Sequence, residues 1–336
     1  MMTSALVTGA TGFLGMHACD RLRDMGWEVT GMGRDAAKGR ELAHVGVRFV
    51  QADLADREAV MKACAGHDYV FHCGALSSPW GAYRDFYASN VEGTRHIVEG
   101  VKQHGVQRLI HVSTPSVYFD YRHRLAIRES DPLPARFVNA YAETKRLAEE
   151  CVLEACAQGV AAIILRPRAI FGPGDNALFP RLLRANTEHG IPMIGGGHAR
   201  LDLTYVGNVV DAMLSGCNAP DSALGRCYNI TNGEPVLFRE VVSELLDLLG
   251  IPLRARALPY AAAYGAAGLM EAAHRVLKLR GEPVLTRYTV GVLARSQTLD
   301  ITEARERLGY VPRIAMQEGL HAFARWWKER DEACRS

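Results

Sequence analysis

Short apolar runs alternate with amphipathic stretches through the first half of the chain. Residues 5–7, 28–32, 47–50, 69–72, 109–112 and 161–165 read as strands. The segments near 13–25, 36–42, 57–64, 83–104 and 140–158 carry helical spacing. Strands separated by helices of this length require crossover connections, and these favour a parallel sheet with helices on both faces. The expected fold is therefore α/β: a Rossmann, doubly wound parallel sheet, with a smaller C-terminal α/β lobe. After about residue 166 the alternation loosens around Gly172-Pro173-Gly174 and Gly195-Gly196-Gly197. This sets a nucleotide-binding core at 1–166, to which later strands return, and a mainly substrate-binding lobe at 167–336. Ligands of such sheets bind at the carboxyl ends of the strands.

Composition narrows the partners. The 336 residues are 48% hydrophobic and 23% charged, with a net charge of +2 and both signs interspersed. No basic stripe marks a nucleic-acid partner, so a small molecule is expected. The eight cysteines form no Cys-x-x-Cys pair and read as reduced thiols of a cytoplasmic protein. Residues 5–7 enter a strand without a basic, apolar leader, which argues against a secretory signal. No apolar run reaches the roughly 20 residues of a membrane span. The histidines show no metal-ligand spacing, and His72 and His111 are expected to be satisfied core residues.

Chemistry first appears at Thr8-Gly9-Ala10-Thr11-Gly12-Phe13-Leu14-Gly15, between the first strand and the first helix. Gly9 permits the turn, Gly12 lets the backbone approach a pyrophosphate, and Gly15 allows close helix packing. The helix N-terminus then favours the phosphates electrostatically. The second strand ends in Met32-Gly33-Arg34-Asp35, where Gly33 stands in the position of a ribose-binding carboxylate. Arg34, with Lys38 one turn later, suits a 2′-phosphate, so NADP(H) is favoured over NAD(H).

Tyr141 and Lys145 share a helix face, about 5–6 Å apart at Cβ. A fixed ammonium there lowers the pKa of the phenol and equips Tyr141 to exchange a proton with an alcohol or carbonyl oxygen.

Taken together, these features resemble the extended short-chain dehydrogenase/reductase family along nearly the whole chain. The glycine loop, Asp53, Cys73-Gly74-Ala75, Asn90-Val91-Glu92-Gly93-Thr94, Ser113-Thr114, Tyr141-x-x-x-Lys145 and Arg166-Pro167 occur in the family's order. The resemblance implies Tyr141 as acid/base and Lys145 on the nicotinamide ribose. It implies Thr114 as the third catalytic hydroxyl, with Ser113 as understudy. Asp53 and Leu54 would lie beside the adenine, although Asp53 also suits a helix N-cap. Cys73, Gly74, Ala75, Asn90, Val112, Ser113 and Pro167 complete the implied cofactor contacts. No metal is implied.

Family dehydratases place an acidic pair where this chain has Pro115 and Ser116, and epimerases usually keep an acidic ribose anchor where it has Gly33-Arg34. Net reduction is therefore favoured over an NAD-dependent nucleotide-sugar epimerase or dehydratase. A non-catalytic NADP-sensing regulator is a remote alternative, since Tyr141, Lys145 and Thr114 are all present. The segments 202–212, 228–235, 281–288 and 308–312 look like the 3β-hydroxysteroid and sterol dehydrogenase branch and its bacterial 2-alkyl-3-oxoalkanoate reductases. The implied substrate is a bulky apolar ketone or secondary alcohol, steroid-like or β-keto acid-like. The stretch 259–279 would line its pocket, or else form core or interface. Ser77, Ser78 and Trp80 are candidate substrate contacts, with a plain surface turn as the competing role. The helices near 83–104 and 140–158 are expected to form a homodimer interface.

Overall fold

The computed structural model describes residues 2–279 and 281–335, apart from the side chains of 333–335, so the Cys334 thiol lies outside what is described. The central sheet is built from β1 (Ser4–Thr8), β2 (Glu28–Gly33), β3 (Arg48–Gln51), β4 (Tyr69–His72), β5 (Arg108–Val112), β6 (Ala162–Pro167) and β7 (Cys227–Ile230). Its order is β7-β6-β5-β4-β1-β2-β3, with every pair parallel. β1 and β6 are buried at every residue. This explains why they read as unbroken apolar runs rather than alternating ones.

Helices cover both faces. On one lie α1 (Phe13–Asp24) and, later in the chain, the helix Val206–Asn218, whose Val209 and Met213 meet Ala18, Cys19 and Leu22 of α1. α2 (Ala36–His44) packs Leu42 into the same cluster. α3 (Arg57–Cys64), α5 (Gly93–His104) and α6 (Ala140–Ala157) fill the other face with Val60, Ile97, Val101 and Val152. α4 (Tyr83–Phe86) leads into α5 through a π turn at Tyr87–Glu92, so the helix expected over 83–104 is interrupted. Such turns concentrate at functional sites, and this one carries Asn90.

Past β6 the chain alternates between the two units. β7 and Val206–Asn218, now α8, return to the central sheet. α7 (Leu178–Glu188), α9 (Phe238–Leu249) and the C-terminal helix Met316–Arg335 instead enclose a separate core of Phe179, Leu183, Leu245 and Phe323. α10 (Tyr260–Val276) and α11 (Arg287–Ala294) pack on each other beside it, around Ala263, Ala267 and Val290. This lobe brings Tyr288 to Ser116, four residues past the end of β5.

Candidate active site

The sheet order reverses between β1 and β4, which opens a cleft at their carboxyl ends. The two loops there touch at the backbone: a Cβ on Gly9, whose φ is +67°, would sit 2.7 Å from Gly74 Cα. Thr8 Oγ1 accepts from Gly74 N at 3.1 Å and ties the loops together. At Gly15 a Cβ would lie 2.2 Å from Gly9 O. α1 begins with Gly12 as its N-cap, has no side-chain cap and carries no acid in its first turn. Its leading N–H groups are thus left for an anion, which fits a dinucleotide pyrophosphate.

A cavity of ≈310 Å³ follows from this loop. It brings together the predicted Gly9, Thr11, Gly12, Arg34, Asp53, Leu54, Cys73, Gly74 and Ala75, and adds Met32, Gly33, Ala52 and Ser89. At Gly33 a Cβ would meet Thr11 Oγ1 at 2.7 Å, so the Thr11 side chain itself bars an acidic residue there. Asp35 is occupied as the N-cap of α2, accepting from Ala37 N at 2.9 Å and Lys38 N at 3.2 Å. Arg34 stands exposed, with Nη1 3.6 Å from Asp53 Oδ2. Lys38 Nζ reaches back to Thr11 O at 3.4 Å. The N-cap role considered for Asp53 belongs to Asp56, which accepts from Ala59 N; Asp53 instead caps the preceding turn at Ala55 N.

Asn90, expected among the cofactor contacts, is fully engaged within the protein. Its Oδ1 accepts from Leu76 N at 2.7 Å, and its Nδ2 donates to Leu76 O and to Thr144 Oγ1. The π turn aims this amide so that it pins the loop after β4 onto α6. Phe13 and Leu14 open α1, and Pro167 closes β6 beside the site. Ser113 directly follows β5 and donates its N–H to Leu165 O at 2.6 Å.

Tyr141 and Lys145 project from the first turns of α6, which Asn139 caps through Ala142 N at 2.8 Å. Lys145 is 2% exposed, and its Nζ donates to Val112 O at 2.8 Å and meets His111 Nε2 at 3.3 Å. Burial lowers its pKa to about 8, against the opposing pull of Glu149. The expected lowering of Tyr141 by Lys145 is not what this geometry produces. Burial pushes the phenol up from its ordinary value, and hydrogen bonds with Ser77 and Thr114 are what hold it down. Lys145 is turned towards the end of β5, because the Val112 carbonyl offers a buried ammonium a partner.

Thr114 Oγ1 donates to Ser116 Oγ at 3.0 Å, and Ser116 Oγ meets the Tyr288 hydroxyl at 2.9 Å. Thr114, Ser116 and Tyr288 thereby form one string of hydroxyls, and Thr114 also acts on the Tyr141 phenol. Sequence reasoning missed Tyr288 because nothing local marks a residue that reaches the site from the other lobe. It also read His111 as plain core. His72 is indeed satisfied by Thr8 and Thr94, but His111 offers Nε2 to Lys145 while its Nδ1 has no partner. Below them Arg166 clamps Glu149 through two bonds, at 2.7 and 2.6 Å, and also donates to Tyr118. Glu149 lies one turn beyond Lys145. Burial raises its carboxyl, and Arg166 outweighs that and keeps it below the ordinary value.

A second cavity, ≈420 Å³, is lined by Trp80, Tyr83, Phe86, Tyr121 and Tyr288, with Glu271, Arg275 and Arg287 at one side. Ser77 reaches Tyr141, and Trp80 stacks under Arg275 at 4.9 Å. Ser78 does not reach the cavity chemistry: its hydroxyl donates to Trp80 O and accepts from Trp80 N, which is the turn-forming role. Of the 259–279 stretch, Glu271, His274 and Arg275 line this cavity, while Leu269, Val276 and Leu277 face solvent. A further cavity, ≈650 Å³, lies among Arg128, Arg146, Arg166 and Glu303 and includes neither Thr114 nor Tyr141. No helix is long and apolar enough to cross a membrane, and no His/Cys/Asp/Glu cluster fits a metal, among the described residues.

Known proteins share this arrangement. The profile of the NAD dependent epimerase/dehydratase family matches residues 5–231. A 2-alkyl-3-oxoalkanoate reductase of Stenotrophomonas maltophilia is 38% identical, over 94% of this chain and 96% of its own. The decarboxylating sterol-4-alpha-carboxylate 3-dehydrogenase of Mus musculus is 31% identical, over 94% and 88%. In fold, the chain superposes on UDP-glucuronic acid 4-epimerase from Bacillus cereus, solved with NAD, with a TM-score of 0.78 at 21% identity, covering 97% of this chain and 99% of that one. With its parallel sheet, glycine loop and Tyr141/Lys145 pair, the chain belongs to the NAD dependent epimerase/dehydratase family, within the extended short-chain dehydrogenases/reductases, as a nicotinamide-dependent oxidoreductase of the CH–OH/C=O class.

Proposed function

We propose that the protein interconverts a bulky apolar ketone and its secondary alcohol, with NADP(H) preferred over NAD(H), in the manner of the steroid-like and 3-oxo acid substrates of its named relatives. One observation supports this reading: the cavity walled by Trp80, Tyr83, Phe86 and Tyr121 is also lined by Asn139 and Ala140, directly before Tyr141, and by Tyr288, whose hydroxyl meets Ser116 Oγ at 2.9 Å. The glycine loop would hold the pyrophosphate, Arg34 and Lys38 the 2′-phosphate, and Lys145 the nicotinamide ribose. When bound, the nicotinamide supplies or accepts hydride at the substrate carbon.

The protein's own part is proton transfer and charge stabilisation. In reduction, negative charge builds on the carbonyl oxygen. Tyr141 Oη gives that oxygen a proton, and Thr114 Oγ1 stabilises it as the charge develops. The raised pKa of Tyr141 keeps it protonated at neutral pH, as a proton donor must be. In oxidation the same oxygen takes the proton back. Ser116 is not ionisable and is bound to Thr114 and Tyr288, which supports hydride transfer over elimination. Arg275 and Arg287, against the single buried Glu271, leave one cation in excess beside the aromatic wall and suit a 3-oxo acid. Assembly as a homodimer through α5 and α6 is part of the proposal, and light scattering at micromolar concentration tests it.

The test is a Tyr141→Phe variant assayed with NADPH and a panel of 3-keto steroids, 3-oxo acids and esters, aromatic ketones and keto sugars. The variant is expected to bind NADPH normally and to lose turnover by about 10² or more on the ketone that the wild type reduces. Undiminished turnover would remove the mechanism, and activity confined to keto sugars would return the protein to the nucleotide-sugar reading.

A further inference from the structure

β5 buries Leu109 and Ile110, and then a basic side chain, His111, as completely as either of them. The pairing of β4 with β5 sets His111 directly beside His72, with the rings 5.1 Å apart. His72 uses both nitrogens: Thr8 Oγ1 lies 2.7 Å from Nδ1, and Thr94 Oγ1 3.0 Å from Nε2. His111 uses one. Its Nε2 lies 3.3 Å from Lys145 Nζ, while its buried Nδ1 has no partner among the described residues. A buried polar atom left unpaired is rare and calls for a reason.

Charge identifies which nitrogen carries the ring proton. Burial, Lys145 and His72 hold the His111 imidazole well below its ordinary pKa, so the ring is neutral and has one N–H. Burial and Lys145 push His72 down to about 3, and burial pushes the Cys73 thiol up to about 12, so both are neutral as well. Glu149 on α6 is the charged group facing Lys145, and Arg166 already holds it. A charged Lys145 has three N–H donors and no lone pair. It gives one proton to Val112 O at 2.8 Å, and the one directed at His111 needs a lone pair on Nε2. The ring proton is thereby confined to Nδ1, the atom without an acceptor. With two of its three protons held by β5, the ammonium has a fixed direction for the third.

We infer that His111 is the positioning residue of Lys145: as its Nδ1–H tautomer it accepts from the ammonium at Nε2, aims the third N–H away from β5, and changes tautomer when Lys145 loses its charge. A neutral amine is a better acceptor than donor. Once Lys145 is deprotonated, the ring therefore carries its proton on Nε2 and donates it to Nζ. The ring stays neutral throughout: by exchange with water one proton leaves Nδ1 and one is added at Nε2, and the proton that Lys145 loses goes to solvent. The kinetic consequence rests on the proposed role of Lys145 at the nicotinamide ribose, whereas the tautomer rests on the geometry alone.

Two measurements test it. The first is ¹⁵N NMR of the histidine-labelled full chain without nucleotide or ketone, with His111→Gln identifying the His111 signals. Nδ1–H is expected at about pH 6.5 and Nε2–H at about pH 9.5, with the step near the Lys145 pKa of about 8 and absent from Lys145→Met. Nε2–H at the lower pH, or one tautomer throughout, would overturn the inference. The second is ketone reduction against pH. His111→Leu removes the acceptor, so the alkaline decline is expected about one pH unit lower than in wild type, with NADPH bound about threefold or more weakly. His111→Gln, whose amide oxygen can accept in place of Nε2, is expected to bring both back towards wild type. A decline that stays in place in His111→Leu would leave His111 a packing residue and overturn the positioning role. A wild type that reduces no ketone would remove the proposed function, while the NMR step would still decide the role of His111.

Discussion

The hydroxyl of Tyr288 meets that of Ser116 at 2.9 Å across 172 residues of sequence. Ser116 in turn receives the Thr114 hydroxyl at 3.0 Å. A residue of the C-terminal lobe therefore helps to orient the Thr114 hydroxyl, which is proposed to be catalytic. Tyr288→Phe removes one hydrogen bond and keeps the ring, which packs edge-on to Phe119 at 5.7 Å. Because such a bond is worth about 0.5–1.5 kcal/mol, kcat is expected to fall about twofold to tenfold, with the Kd for NADPH unchanged. Steady-state kinetics with fluorescence titration of the nucleotide checks this; an unchanged kcat would show that Thr114 needs no such support.

In the proposed reading, nucleotide choice is set at Arg34, Gly33 and Thr11. Arg34→Ala is expected to raise the KM for NADPH about tenfold or more and to leave that for NADH nearly unchanged, as loss of a charge-assisted bond to phosphate would. Gly33→Asp alone is expected to weaken both nucleotides, because its Cβ would collide with Thr11 Oγ1. Combining Gly33→Asp with Thr11→Ala relieves that collision and is expected to bring NADH ahead of NADPH. Ratios of kcat/KM for the two nucleotides decide it.

Lys145 governs the pH profile. With its pKa near 8, it holds its charge below that pH and loses it above. Ketone reduction is expected to be level from about pH 6 to 7.5 and to decline as Lys145 deprotonates. Lys145→Arg, whose guanidinium stays charged, should remove the decline while lowering the plateau through its different shape. A wild-type profile that rises through pH 8 would contradict this assignment.

Glu149 and Arg166 form a buried ion pair one turn beyond Lys145. Glu149→Gln leaves the buried Arg166 charge uncompensated and is expected to cost about 3–5 kcal/mol of stability, read by denaturant melts. Replacing both, as Glu149→Gln with Arg166→Met, is expected to recover much of that loss. Because Arg166 depresses the Glu149 carboxyl, the pair's stabilisation is complete above the ordinary glutamate pKa of about 4.3. It is lost as pH falls below that, through the folded-state value.

Much of this protein is legible without coordinates. The alternation of strands and helices determines the parallel sheet, because each element must bury a face set by its own period. The glycine loop determines where a dinucleotide fits, because only glycine allows the backbone approach between Gly9 and Gly74. The spacing of Tyr141 and Lys145 on one helix determines that they share a face, which is what the proposed proton-transfer pair needs. The tertiary structure alone decides which way Lys145 points, since its partner is a carbonyl at the end of β5. It alone assigns the N-cap to Asp56 rather than Asp53, spends Ser78 on a turn and places Asn90 as a brace through a π turn that periodicity does not register. It alone brings Tyr288 to Ser116 and turns the apolar face of α10 outward. These are relations between segments distant in sequence, set by how the elements pack; a periodic pattern specifies an element's face but not the neighbour that face will meet.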